Sequence, residues 1–154
     1  AALEGFSGYP MRFEIRKING MTLINDSYNA NPVSMEESLK ELVRLAAGER
    51  KIAVLGDMFE LDGFSEEAHR RLGRLISEAG IDVFIAVGQM MSLAAEECMK
   101  SRVSSFPRMV YCFKDSEDAT NNVMDVLIEG DVVLVKGSRS MRMEKIAERI
   151  ANAL

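Results

Sequence analysis

The sequence predicts an α/β fold: a mostly parallel sheet flanked by helices on both faces, with an antiparallel hairpin at its N-terminal end. Three observations predict it. Strand-sized runs such as KIAVLG, DVFIAVG and DVVLVKG are apolar along their length, as strands covered on both faces are. They alternate with amphipathic segments of helical period. Asn19-Gly20, the pair preferred in a tight type I′ turn, stands between two alternating segments near the start.

The elements follow in order. Arg12 to Ile18 and Met21 to Asn25 are the arms of the hairpin. Pro32 suits the first position of a helix capped by Asn31, with Met35, Leu39, Leu42, Val43 and Ala46 on one face and Gly48 as the stop. KIAVLG is a strand ending at Gly56, and a helix runs from Ser65 to Gly80. DVFIAVG is the next strand, and QMMSLAAEECMKS the third helix. MVYCF is a strand, followed by a helix from an Asp115 cap to Gly130. DVVLVKG is the last strand, and MRMEKIAERIANAL closes the chain as a helix.

Length and composition bound the function. The 154 residues suffice for one well-filled domain. At 47% hydrophobic and 28% charged the chain reads as globular. A formal net charge of -5, with no basic run, argues against nucleic acid or an anionic membrane as the partner. No apolar run is long enough to span a bilayer. Cys98 and Cys112 form no CxxC, and with His69 as the single histidine no metal set emerges. Two reduced thiols point to a cytoplasmic protein. The opening AALEGFSGYP, without an initiator methionine, reads as a lead-in over residues 1–10 from a preceding domain, with one domain over 11–154.

In an open parallel sheet, ligands bind beyond the carboxyl ends of the strands. Two of those ends have unusual contents. INDSYNANP, residues 24–32, offers the Asp26 carboxylate and the Asn29 and Asn31 amides just ahead of a helix start, whose free N–H groups favour anions. An Asx-turn plus a helix cap accounts for the same residues. KGSRSMRME begins with Lys136, an odd place for a cation after a buried strand unless it faces a ligand or a carboxylate. Ser138 and Ser140 supply hydroxyls, and Arg139 and Arg142 could fork onto a carboxylate or phosphate. GDMFELDG, with Asp57 and Glu60, reads as a polar surface loop, and His69 as a packed, hydrogen-bonded side chain. GxxxxGK[ST], GxGxxG and GxSxG are all absent.

INDSYNANPVSM, AVLGDMFEL and VLVKGSRSMRME together resemble the C-terminal domain of a Mur ligase, from about Phe6 to the end of the chain. The DSYNANP and KGSR segments are most similar to the family member that adds D-Ala-D-Ala to UDP-N-acetylmuramoyl-tripeptide. The resemblance implies a Rossmann-like sheet and a parent enzyme of three domains. The upstream domains hold the UDP-sugar peptide, the phosphate loop and Mg2+, and the C-terminal domain closes over ATP and brings the dipeptide. Residue by residue, it implies that Arg12 reaches the ATP phosphates and that Asp26, Asn29 and Asn31 face the nucleotide. Lys136, Ser138, Arg139 and Ser140 then contact the incoming dipeptide, and Tyr28 stands where a sister ligase has a phosphate-facing lysine. The isolated fragment is expected to be inactive. The alternatives are a sister Mur or folylpolyglutamate-type ligase domain, or a non-catalytic Rossmann-like binding module.

Overall fold

A computed structural model describes residues 9–100 and 105–153. The expected lead-in over residues 1–10 lies outside the described residues, apart from Tyr9 and Pro10. A six-stranded sheet has the order β1-β2-β6-β3-β4-β5. Its strands are β1 (Glu14–Ile18), β2 (Met21–Asp26), β3 (Lys51–Gly56), β4 (Val83–Val87), β5 (Met109–Phe113) and β6 (Val132–Lys136). Only β1 and β2 pair antiparallel; all other neighbours are parallel. Asn19 and Gly20 both have positive φ, 49° and 79°, as a type I′ turn demands.

Among the described residues five α-helices cover the sheet. α1 (Pro32–Leu45), α2 (Ser65–Glu78) and α3 (Met91–Lys100) lie over one face, where Met35, Leu39, Leu42, Leu72, Ile76 and Met91 pack on Ile24, Leu55, Phe84 and Leu134. α4 (Ser116–Asn122) and α5 (Glu144–Ala151) lie over the other, with Val123, Ile146 and Ile150 against Leu23, Val54, Ile85 and Val135. Each fully buried aliphatic side chain contributes about 1.5–3 kcal/mol. β4 and β6 are buried at every position, whereas the edge strands β1 and β5 are partly exposed.

Two helices are shorter than their sequence patterns predict. α4 ends at Asn122 in a 3-10 turn, Val123–Asp125, instead of running on to Gly130. Within it the Thr120 hydroxyl and the Asn122 amide donate to the carbonyls of Ser116 and Asp118, so polar side chains compete for the carbonyls of the helix. The last helix starts at Glu144, because Arg142 has left-handed backbone, φ 55°, and separates α5 from a 3-10 turn over Arg139–Met141. Arg142, expected within the last helix, therefore lies in the connection that precedes it.

α2 and α3 approach closely at Gly73. A Cβ there would stand 2.2 Å from the Ala94 carbonyl oxygen. We predict that Gly73→Ala lowers stability in chemical denaturation by about 1–3 kcal/mol through overpacking, outweighing the ~1 kcal/mol that alanine gains in a helix.

Candidate functional site

β2 and β6 end side by side, and their last residues, Asp26 and Lys136, are register partners. The Lys136 ammonium donates to Asp26 Oδ2 at 2.9 Å and to the Asn29 carbonyl at 3.1 Å. Ser38 Oγ on α1 donates to the same carboxylate oxygen at 2.6 Å, and the Phe13 N–H donates to Oδ1 at 2.9 Å. The two side chains are only 5% and 13% exposed. A cation buried this deeply is tolerated because a carboxylate and a carbonyl replace its water. An open groove of about 800 Å³ runs past this pair, lined among others by Phe13, Asp26, Asn31, Pro32, Glu37 and Lys136.

Asn31 caps α1. Its Oδ1 accepts the Ser34 N–H at 2.8 Å, and its own N–H donates to Ser34 Oγ at 3.0 Å. Asn29 uses its carbonyl for Lys136 and its Oδ1 for the Arg139 N–H at 3.3 Å. The acceptor oxygens of both asparagine side chains thus shape the loop. Among the described residues their amide N–H₂ groups have no protein partner.

A second cleft of about 450 Å³ opens on the other side of this segment, lined by Asn29, Phe59, Glu60, Ser138, Arg139 and Ser140 among others. Asn31 lines both clefts, so residues 29–31 form the wall between them. Ser138 is buried and joins two loops: its N–H donates to the Asp57 carbonyl at 3.0 Å, and its Oγ accepts the Phe59 N–H at 2.8 Å. The Asp57 carboxylate, also buried, accepts the Met91 N–H at 2.6 Å. Gly56 and Gly137 sit against Met143, where a Cβ on either would come within 2.6 Å of its side chain. His69 is packed as its sequence setting suggests: Nε2 accepts the Met58 N–H at 3.0 Å, while Nδ1 donates to the Ser65 carbonyl at 2.6 Å.

Arg139 carries its guanidinium at the cleft rim in a fork with Glu144, at 2.8 and 3.0 Å. The hydrogen bonds and charge of Glu144 hold the guanidinium above its ordinary value. Burial pushes the Glu144 carboxyl up, but the Arg139 hydrogen bonds, a backbone N–H and nearby cations outweigh it and hold it below 4.5. Arg12 is exposed, with its guanidinium 4.1 Å above the centre of the Tyr28 ring.

The sequence groups Lys136 with Ser138, Arg139 and Ser140. In the fold Lys136 lines the first groove and the other three line the second. Ser38 and Glu144 are contributors that the sequence reading passes over. Ser38 left a signal, a hydroxyl on the apolar stripe of Met35, Leu39 and Leu42. Glu144 left only its closeness to Arg139 in the chain. Among the described residues no group of three His, Cys, Asp or Glu could hold a metal ion, and no helix is long and apolar enough to cross a membrane.

Comparison with known proteins bears on this geometry. The family model described as Mur ligase, glutamate ligase domain, matches residues 11–139. A UDP-N-acetylmuramoyl-tripeptide--D-alanyl-D-alanine ligase of Bacillus subtilis (strain 168) is 34% identical over 96% of the chain and 32% of its own length. The crystal structure of a MurF ligase from Thermotoga maritima in complex with ADP is 28% identical, with TM-score 0.77 over 97% of this chain and 32% of that one. A MurF from Acinetobacter baumannii is 28% identical with TM-score 0.80, over 99% of this chain and 33% of that one. The chain therefore spans about a third of the length of the relatives it matches.

Two predictions follow from the charged pairs. Asp26→Asn leaves the Lys136 cation buried without its counter-charge and lowers stability by about 3–5 kcal/mol in urea denaturation; adding Lys136→Met recovers part of that loss. The folded Glu144 carboxyl ionises more readily than the unfolded one. Its stabilising contribution is complete above about pH 4.5 and is lost as pH falls through the lower folded value. The difference in melting temperature between the wild type and Glu144→Gln should accordingly narrow below that pH.

Proposed function

The chain belongs to the Mur ligase family, as a glutamate ligase domain, and on that premise we propose that residues 11–154 are the C-terminal domain of a longer, ATP-dependent ligase of the cytoplasm that adds D-Ala-D-Ala to UDP-N-acetylmuramoyl-tripeptide. The observation that carries this reading is the pair of clefts divided by residues 29–31, each with its own polar lining. The relatives named as UDP-N-acetylmuramoyl-tripeptide--D-alanyl-D-alanine ligases support the choice of substrate.

In this reading the first groove takes the ribose and phosphates of ATP. Asp26 and the amide of Asn31 face the nucleotide, Asn29 lines the second cleft instead, and Arg12 lies at the entrance toward the phosphates. The second cleft takes the dipeptide, whose carboxylate meets Arg139, Ser138 and Ser140. Lys136 acts from the other side of the wall, holding Asp26 and the Asn29 carbonyl in place and so fixing the shape of both clefts. The UDP-sugar peptide and the phosphate loop belong to residues outside this chain, as does Mg2+, which supplies charge neutralisation on the phosphates when bound.

The chemistry is acyl transfer through a mixed anhydride. The tripeptide carboxylate attacks the γ-phosphorus, ADP leaves, and an acyl phosphate remains. The dipeptide amine then attacks the acyl carbon, loses a proton, and inorganic phosphate departs. What this chain contributes is orientation of the nucleophile and a cation brought to the phosphates, the two effects on which phosphoryl and acyl transfer depend most.

The test is phosphate release by the full-length protein with ATP, Mg2+ and UDP-N-acetylmuramoyl-tripeptide, with and without D-Ala-D-Ala. Release should require the dipeptide, and the isolated 154 residues should give none. Release with a single amino acid instead would move the chain to a sister ligase, and an absence of release with every acceptor would leave a binding module. Arg139→Ala should raise the KM for D-Ala-D-Ala about 10- to 100-fold, the loss of one charge-assisted contact.

A further inference from the structure

Arg12 and Arg139 are held in opposite ways. Arg139 is forked onto the Glu144 carboxylate, which uses two of its N–H groups and offsets part of its charge. Arg12, among the described residues, pairs with no carboxylate. Its guanidinium lies over Tyr28, 4.1 Å from the ring centre, while the Arg139 guanidinium stands 6.0 Å from the same ring. A π-face attracts a guanidinium without supplying a counter-charge, so among the described residues the Arg12 charge is matched by no carboxylate and remains available to an anion.

The backbone around Arg12 is fixed independently of its side chain. Met11 and Phe13 on either side have left-handed φ, 63° and 56°, a conformation non-glycine residues rarely adopt. The Tyr28 N–H donates to the Met11 carbonyl at 2.9 Å, and the Phe13 N–H donates to Asp26 Oδ1 at 2.9 Å. These bonds pin the segment to the loop that lines the first groove. What they leave loose is the long Arg12 side chain, and the Tyr28 ring, itself 41% exposed, is the surface on which it lies.

We propose that Tyr28 is a positioning residue for Arg12: its ring orients the guanidinium beside the nucleotide groove without neutralising it. This rests on the reading of Arg12 as phosphate-facing. Tyr28 takes no part in the chemistry and acts only through Arg12, by means of its ring and not its hydroxyl.

The test uses the full-length protein and dipeptide-dependent phosphate release, with kcat and KM determined separately and folding checked by thermal unfolding. Arg12→Gln should lower kcat on the order of a hundredfold. Tyr28→Phe should stay within about twofold of wild type, because the π-face survives. Tyr28→Leu should lower kcat roughly tenfold while leaving the KM for D-Ala-D-Ala unchanged, with Tyr28→Gln as a second ring-less variant should the leucine protein not fold. The double variant Arg12→Gln/Tyr28→Leu should be no slower than Arg12→Gln alone, since both changes remove one contribution. Wild-type kcat in the ring-less variants beside an impaired Arg12→Gln would overturn the role of Tyr28 alone, as would additive losses in the double variant or a Tyr28→Phe as slow as Tyr28→Leu. Wild-type kcat in Arg12→Gln would overturn the phosphate-facing reading itself, and with it any need to position that side chain.

Discussion

Much of this domain's working edge depends on one buried ion pair. Lys136 and Asp26 close two adjacent strands at the same level, and each then reaches further: the lysine to the Asn29 carbonyl, the aspartate to Ser38 on α1 and to the Phe13 backbone. Four stretches of the chain, at Phe13, at Asp26 to Asn29, at Ser38 and at Lys136, meet at two side chains. A pair this deep adds little net stability over an apolar contact, because both ions surrender their water. What it adds is definition, since the carboxylate accepts its three donors in only one arrangement of hairpin, helix and loop.

That arrangement turns a cap into a partition. Asn31 closes the first turn of α1 in a reciprocal bond with Ser34, and this fixes where residues 29–31 cross the end of the sheet. On one side lies a groove bordered by a helix N-terminus, on the other a cleft whose floor is tied by Ser138 to the β3 loop. Small residues allow the layering beneath. Gly56 and Gly137 let two strand ends and Met143 come together with no room for another carbon. Local turn chemistry and close backbone approach therefore set the spacing of the two clefts.

The parts of this structure legible in the sequence are those set by neighbours in the chain. Apolar runs flanked by glycine gave away the parallel strands, Asn19-Gly20 the hairpin, and Asn31-Pro32 the start of α1, because each signal and its cause lie within a few residues. Local patterns failed where a competing interaction left no periodic trace. Met141 to Met143 read as the start of the last helix, yet Arg142 adopts left-handed backbone and delays α5. Asn122 sits inside a helical pattern and turns its amide onto the Asp118 carbonyl as α4 ends. For the site, the residue types at the strand ends were visible, but their grouping was not. That Lys136 meets Asp26, 110 positions away, and not the serines beside it follows from the pairing of β2 with β6, which no local window contains.

The position of β6 has a bearing on how the chain comes into being. It is the last strand in sequence, yet it lies between β2 and β3. Until it is made, a nascent chain holds the hairpin and the β3-β4-β5 group as two partial sheets with open edges, and no backbone ladder joins them. Long-range parallel pairing of this kind forms slowly, because a large loop must close before any contact repays the lost entropy. Lys136 ends that strand, so the residue that orders the site also arrives with the segment that unites the sheet. A ribosome-bound or prematurely terminated chain can bury helices against either half, but it has no means of assembling the wall between the two clefts.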